Sequence, residues 1–266
     1  MRKLERQFVD KVWGVDHLPE VFGYQGGERI GEVWFAPPPE MGSVLVKWLF
    51  ASERLSVQAH PSDEQAQQMG LGMAGKSECW IITDAEPGAT IAVGFREPQE
   101  IGDVRAAALD GSIVDMLEWH EVKSRDAFCI PAGTVHAIGG GVSLIEVQQN
   151  TDITFRLYDY GRPRELHLNQ GLGIASLLPY PASLRRRLDD GELLVDGPHF
   201  KLGAIEWTNG RGVFGFVGPA ILAPFSGETK IASQTLLPGE CAFVADVQHV
   251  DATGQGICLV AQPTAG

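Results

Sequence analysis

Short apolar runs separated by turn residues dominate the chain. Residues 31–35, 44–49, 56–59, 79–83, 90–93, 127–130, 142–148 and 153–158 are each rich in Val, Ile, Phe or Trp, and glycines and prolines punctuate them. Runs of that length between such punctuation predict strands, so the expected class is mainly β, with the strands closing around one pocket. Three segments carry helical spacing instead: 63–69, about 98–117 and about 169–178. In the second, Ile101, Val104, Ala108, Ile113 and Leu117 recur near the helical period, and Gly111 is expected to break it in two. Residues 179–194 read as a linker. It separates a first domain, 1–180, from a smaller β-rich domain, 181–266. In that second block residues 237–244 echo the polar turn and apolar strand at 124–130, the mark of a degenerate second barrel. His249 falls out of register with His136 there and no close pair of ligand residues accompanies it, so no metal site is expected in the second block.

Composition narrows the function classes. The 266 residues are 44% apolar, enough for a sizeable core, and carry a formal net charge of −13. Such a balance argues against a broad basic surface for nucleic acid. The one basic cluster, Arg185-Arg186-Arg187, is read as a solvated helix face. Cys79, Cys129, Cys241 and Cys258 form no CxxC pair and are expected to be reduced core thiols. The N-terminus alternates charges, and no apolar run reaches the ~18 residues of a membrane span, so a cytoplasmic protein without a membrane partner is expected.

Gly70-Leu-Gly-Met-Ala-Gly-Lys-Ser77 matches both the phosphate-loop pattern GxxxxGK(S/T) and the dinucleotide pattern GxGxxG. Either chemistry needs a buried strand before the loop and a helix after it, so that helix-terminal amides face the phosphates. Here a polar helical segment precedes and a β-rich run follows, so a glycine-rich turn entering a strand is the reading adopted.

Gln58 and His60 are one residue apart in Leu55-Ser-Val-Gln-Ala-His-Pro61, and the strand period of two points both to one face. Glu78 begins the next strand, and His136 follows the turn Pro131-Ala-Gly133. Gln, His, Glu and His make a mixed oxygen and nitrogen set that suits a divalent ion such as zinc, with one position left open. His17, His120, His167, His199 and His249 have no comparable neighbours and are read as structural.

Four segments carry a resemblance to a known family: Lys47 through Pro61, Gly75-Lys-Ser-Glu-Cys-Trp80, Ile130 through Gly141, and Ile145 through Asp159. They resemble the signature blocks of the type I phosphomannose isomerases, short bacterial form, over about residues 10–170. The resemblance implies a cupin jelly-roll barrel with helical insertions, one zinc ion held by Gln58, His60, Glu78 and His136, and a substrate arginine at Arg156. It further implies that Lys76 belongs to the active site, with Ser56 and Lys47 near a phosphate. The reaction implied is mannose 6-phosphate to fructose 6-phosphate through an enediol, with Glu146 or Lys76 as the general base; the residues do not choose between them. An Fe(II) cupin oxygenase and a non-catalytic sugar-binding cupin are the competing readings. The expected partner is a small sugar phosphate, with monomer and homodimer both open.

Overall fold

The expected strands form, most of them extended by a residue or two, and they assemble into antiparallel sheets that face one another. A computed structural model describes residues 1–190, 193–207, 215–249 and 252–264. The His249 side chain lies outside the described residues. One sheet has seven strands in the order Arg185–Arg187, Asp126–Ile130, Glu78–Ala85, Val142–Gln149, Val44–Ala51, Ile30–Phe35 and Arg6–Val15. Opposite it lies a five-stranded sheet in the order Phe155–Tyr158, Val57–Ala59, His136–Ile138, Thr90–Phe95 and Leu117–Glu121. Leu49, Trp80, Ile82, Ile91, Val93, Phe128 and Leu144 fill the space between them and close the cupin barrel.

A third layer covers the outer face of the seven-stranded sheet. Its six strands run in the order Arg2–Lys3, Ala242–Val244, Ala220–Pro224, Ile257–Pro263, Phe200–Glu206 and Leu193–Asp196. Val46, Trp48, Ile145 and Val147 pack outward against Leu202, Ile221 and Leu259 of this layer. Every residue of Val44–Ala51 is therefore buried, as in a sheet covered on both faces. The chain start belongs to the far layer, since Arg2 pairs with Phe243. Among the described residues no helix is long and apolar enough to cross a membrane.

Two local expectations change. Arg185–Arg187 is an edge strand paired with Asp126–Ile130, not a helix face, because buried Asp126 draws in Arg185 at 3.7 Å and Arg187 in a closer pair. The ten-residue strand Arg6–Val15 was not anticipated, since its charged positions interrupt the apolar pattern. Gly111 does divide the second helical segment, into Ile101–Asp110 and Ile113–Met116, at a φ of 90°.

The glycine-rich loop has the expected reversed context, with helix Asp63–Gln68 before it and strand Glu78–Ala85 after it. A capping box between Ser62 and Gln65 starts that helix directly after His60. Gly75 donates its N–H to Asp63 Oδ1 at 2.7 Å, and Lys76 donates its N–H to Pro61 O at 2.9 Å. A Cβ at Gly75 would lie 2.2 Å from Pro61 O, so only glycine lets the two segments approach this closely. Gly75→Ala is expected to cost about 1–3 kcal/mol through this overpacking, read as a lowered thermal midpoint; an unchanged midpoint would refute the close-approach explanation.

Candidate metal centre

Strand register brings the site together. In the five-stranded sheet Gln58 pairs directly with Arg156 on one side and with His136 on the other. Directly opposed residues of antiparallel strands share a face at roughly 5 Å, so these three side chains form one row. His60 lies two residues beyond Gln58 and keeps the same side. In the facing sheet Glu146 pairs with Lys47 and with Trp80, while Glu78 lies one same-face step from Trp80. Lys76 lies two residues before Glu78 and continues that face.

His60, Glu78 and His136 offer ligand atoms that all lie within 4.8 Å of one another. His60 Nδ1 donates to Ile153 O at 2.7 Å, and His136 Nδ1 donates to Thr134 O at 2.9 Å. Each bond consumes the ring proton and leaves Nε2 as a lone pair on the Glu78 side, where Lys76 approaches that of His60 and Gln58 that of His136. His136 Nε2 is 3.5 Å from Glu78 Oε1, and His60 Nε2 is 3.7 Å from Glu78 Oε2. Burial lowers the pKa of both imidazoles, with the Lys76 charge adding to the effect, well down for His60 and to about 4 for His136. Both rings are therefore neutral near pH 7. Glu78 Oε1 is buried and accepts no hydrogen bond, a costly state for a carboxylate oxygen. Two neutral imidazole lone pairs converging on an unsatisfied buried carboxylate fit a divalent cation. Gln58 turns its Nε2 to His136 at 3.3 Å and its Oε1 to the Ser56 hydroxyl at 3.0 Å. A half-turn of the amide would exchange these atoms and put the oxygen on the ligand side.

Lys76 Nζ lies 2.7 Å from Glu78 Oε2, 3.2 Å from His60 Nε2 and 3.7 Å from Glu146 Oε1. Burial opposes its charge, but Glu146 and Glu78 together outweigh that and raise its pKa above the ordinary lysine value. Glu146 Oε1 is 3.3 Å from Lys47 Nζ, and its Oε2 accepts from Trp80 Nε1 at 3.1 Å. Arg156 has no carboxylate within ion-pair distance among the described residues; its guanidinium donates only to Glu165 O, at 3.4 Å.

These groups open onto a cavity of about 290 Å³. Lys47, Ser56, Gln58, Lys76, Glu146 and Arg156 all line it, whereas His60, Glu78 and His136 are not lining residues and adjoin it through Gln58 and Lys76. The cavity wall also includes residues that the sequence reading passed over: Lys11, Trp13, Glu32, Asp152, Arg164 and His167. Glu32 had a legible signal, an acidic residue inside the apolar strand Ile30–Phe35. It accepts from Trp34 Nε1 at 2.8 Å and pairs with Lys11 at 3.3 Å. His167, read as structural, accepts the Arg156 N–H on Nδ1 at 3.2 Å and faces this cavity. It had no signal of its own, because chain folding over residues 156–167 brings it there.

No protein-family model matches the chain. A mannose-6-phosphate isomerase of Streptococcus mutans is 31% identical over 241 residues, covering 74% of this chain and 76% of that protein. The mannose-6-phosphate isomerase ManA of Bacillus subtilis is 35% identical over 179 residues, covering 65% of this chain and 52% of ManA. The match thus spans about half the length of ManA. The crystal structure of a mannose 6-phosphate isomerase from Bacillus subtilis superposes with a TM-score of 0.80 at 25% identity, covering 98% of this chain and 99% of that one. A phosphomannose isomerase from Salmonella typhimurium shares the fold, with a TM-score of 0.73 at 16% identity.

Lowering the pH should destabilise the metal-free protein progressively from about 6.5 toward 4. The unfolded imidazoles take up protons that buried His60 and His136 refuse, so stability is complete above the unfolded value and lost below it. His136 alone would account for on the order of 3 kcal/mol. Chemical denaturation across that range tests this, and a profile no steeper in wild type than in His136→Gln would contradict it.

Proposed function

The chain belongs to the mannose-6-phosphate isomerase family, and on that premise we propose that it interconverts mannose 6-phosphate and fructose 6-phosphate. The observation that carries the reading is the pairing of a neutral two-histidine, one-carboxylate cluster with a cation-lined cavity in an otherwise acidic chain. His60, Glu78 and His136, with Gln58 after its amide turns, would hold the metal, which we take to be zinc. When bound, the metal supplies Lewis-acid polarisation of the substrate carbonyl and offsets negative charge on the neighbouring oxygen.

The remaining steps fall to the chain's own side chains. Moving a proton between C1 and C2 needs a base that is unprotonated at working pH and within reach of both carbons. Lys76, held as an ammonium by Glu146 and Glu78, is a poor acceptor in this arrangement. Glu146 is buried, and its Oε1 lies in ion-pair range of Lys47 at 3.3 Å and Lys76 at 3.7 Å but accepts no hydrogen bond. We therefore assign Glu146 as the base, taking the proton from one carbon and returning it to the other across the enediol. Lys76 stays charged and stabilises developing negative oxygen. Arg156, with no carboxylate in ion-pair range among the described residues, is placed to hold an anionic substrate oxygen in a charge-assisted bond. Lys47 and Ser56 are assigned to the phosphate end. In this reading residues 1–180 supply the catalytic groups, and 181–266 contribute the barrel's edge strand Arg185–Arg187 and a β-rich support with no metal cluster among its described residues.

Stripping the metal with a chelator should abolish isomerisation and zinc should restore it, with His136→Ala inactive throughout. A metal-loaded protein that does not isomerise either sugar phosphate would sink the reading. Glu146→Gln should lower kcat by roughly 10²–10⁴-fold, the ordinary contribution of a general base, while zinc content measured by atomic absorption stays at the wild-type level. Equal activity in the variant would transfer the base role elsewhere.

A further inference from the structure

Strand alternation places a second pair of reactive groups directly behind the metal cluster. Glu78 faces the barrel interior, so its neighbour Cys79 faces outward, and the register pairs Cys79 with Cys129 of the adjacent strand. Both are free thiols, and their sulfurs lie 3.7 Å apart. Cys79 is fully buried, whereas Cys129 is half-buried and lines a cavity of about 560 Å³ between the barrel and the C-terminal layer. Arg186 lines the same cavity.

We propose that Cys79 and Cys129 form a thiol-oxidation site, which a hydroperoxide entering this cavity closes into a cross-strand disulfide. Cys129 is the attacking thiol and Cys79 the resolving one, because only Cys129 is open to the cavity. The hydrogen bond from Cys79 holds the Cys129 thiol below its ordinary range against the opposing effect of burial, and Arg186 adds to the lowering. Partial exposure with a cation nearby distinguishes reactive cysteines from inert buried ones; Arg186 supplies the cation here, on a cavity wall that Asp196 also joins.

The chemistry balances as follows. The Cys129 thiolate attacks the terminal peroxide oxygen, the O–O bond breaks, and the departing oxyanion takes the proton that Cys129 gave up, becoming water from hydrogen peroxide or an alcohol from an alkyl hydroperoxide. The Cys79 sulfur then displaces hydroxide from the Cys129 sulfenic acid, and the Cys79 thiol proton leaves with it as water. Two thiols are oxidised by two electrons and one peroxide is reduced.

Closure would draw the sulfurs from 3.7 Å to about 2.05 Å. Glu78 adjoins Cys79 in the chain, so part of that movement reaches the carboxylate. Metal–ligand distances in a sound site fall within about 0.2 Å of their standard values, so a shift of the carboxylate beyond that range should loosen the ion. This consequence rests on the reading that Glu78 holds the metal; the disulfide itself does not.

The zinc-loaded full-length protein is treated with hydrogen peroxide, digested without reductant and mapped by mass spectrometry, and zinc release to a chromogenic chelator is timed in parallel. The expected product joins the Cys79 and Cys129 peptides, is lighter by two hydrogens and is reversed by dithiothreitol, and zinc leaves several-fold faster from oxidised than from reduced protein. Cys129→Ser, with Cys129→Ala in reserve should the serine variant fold poorly, should form no crosslink and keep its zinc release rate under peroxide. Overoxidation of Cys129 without crosslinking, or crosslinking elsewhere, overturns the site. A crosslink with unchanged zinc release overturns its coupling to Glu78. Neither readout uses sugar turnover, so a failure here is distinct from a failure of the isomerase reading.

Discussion

Three carboxylates, Glu32, Glu78 and Glu146, and two ammonium groups, Lys47 and Lys76, sit inside the barrel almost out of contact with water. Removing one partner from such a set leaves an uncompensated buried charge, typically at 3–5 kcal/mol, so Glu78, Glu146, Lys47 and Lys76 hold one another in place while Lys11 pairs with Glu32. The pairing is incomplete at one corner, where Glu78 Oε1 lacks a hydrogen bond and the Nε2 atoms of His60 and His136 converge on the carboxylate. That corner is where a dication would complete the charge balance, and the rest of the pocket is arranged around it.

Holding charges there depends on the layers outside. The seven-stranded sheet carries polar groups on its inner face only because its outer face is sealed by Val46, Trp48, Ile145 and Val147 against the C-terminal layer. The carbonyls of Ile153 and Thr134 then select the imidazole tautomers, and the side-chain amide of Gln149 anchors the approach to Glu78 by accepting the Ser77 N–H at 2.9 Å. Backbone groups from distant segments thus prepare the ligands before any ion arrives, the kind of support on which metal sites depend.

The principal strands and the candidate residues Gln58, His60, Glu78 and His136 were legible because their signals are local. Leu55-Ser-Val-Gln-Ala-His-Pro61 alternates with period two, and Gly75 through Trp80 does the same for Lys76 and Glu78. Arg6–Val15 escaped because its charges obscure the alternation, although Trp13 and Lys11 from it reach the cavity wall. The arginine triplet was misread because its partner, Asp126, lies about sixty residues away in the chain. His167 was set aside for the same reason: its cavity position depends on two bonds to the Arg156 backbone, its N–H donating to the carbonyl and its Nδ1 accepting the N–H.

What the sequence by itself determined is which side chains share a face within one strand, since the two-residue period belongs to the extended backbone wherever the strand ends up. Only the tertiary structure decided that His136 stands opposite Gln58, that Glu146 stands between Lys47 and Trp80, and that Cys129 stands beside Cys79. It also decided that Lys76 keeps its proton while both histidines lose theirs. Register and burial are collective properties of many strands packed at once, and no single segment encodes them.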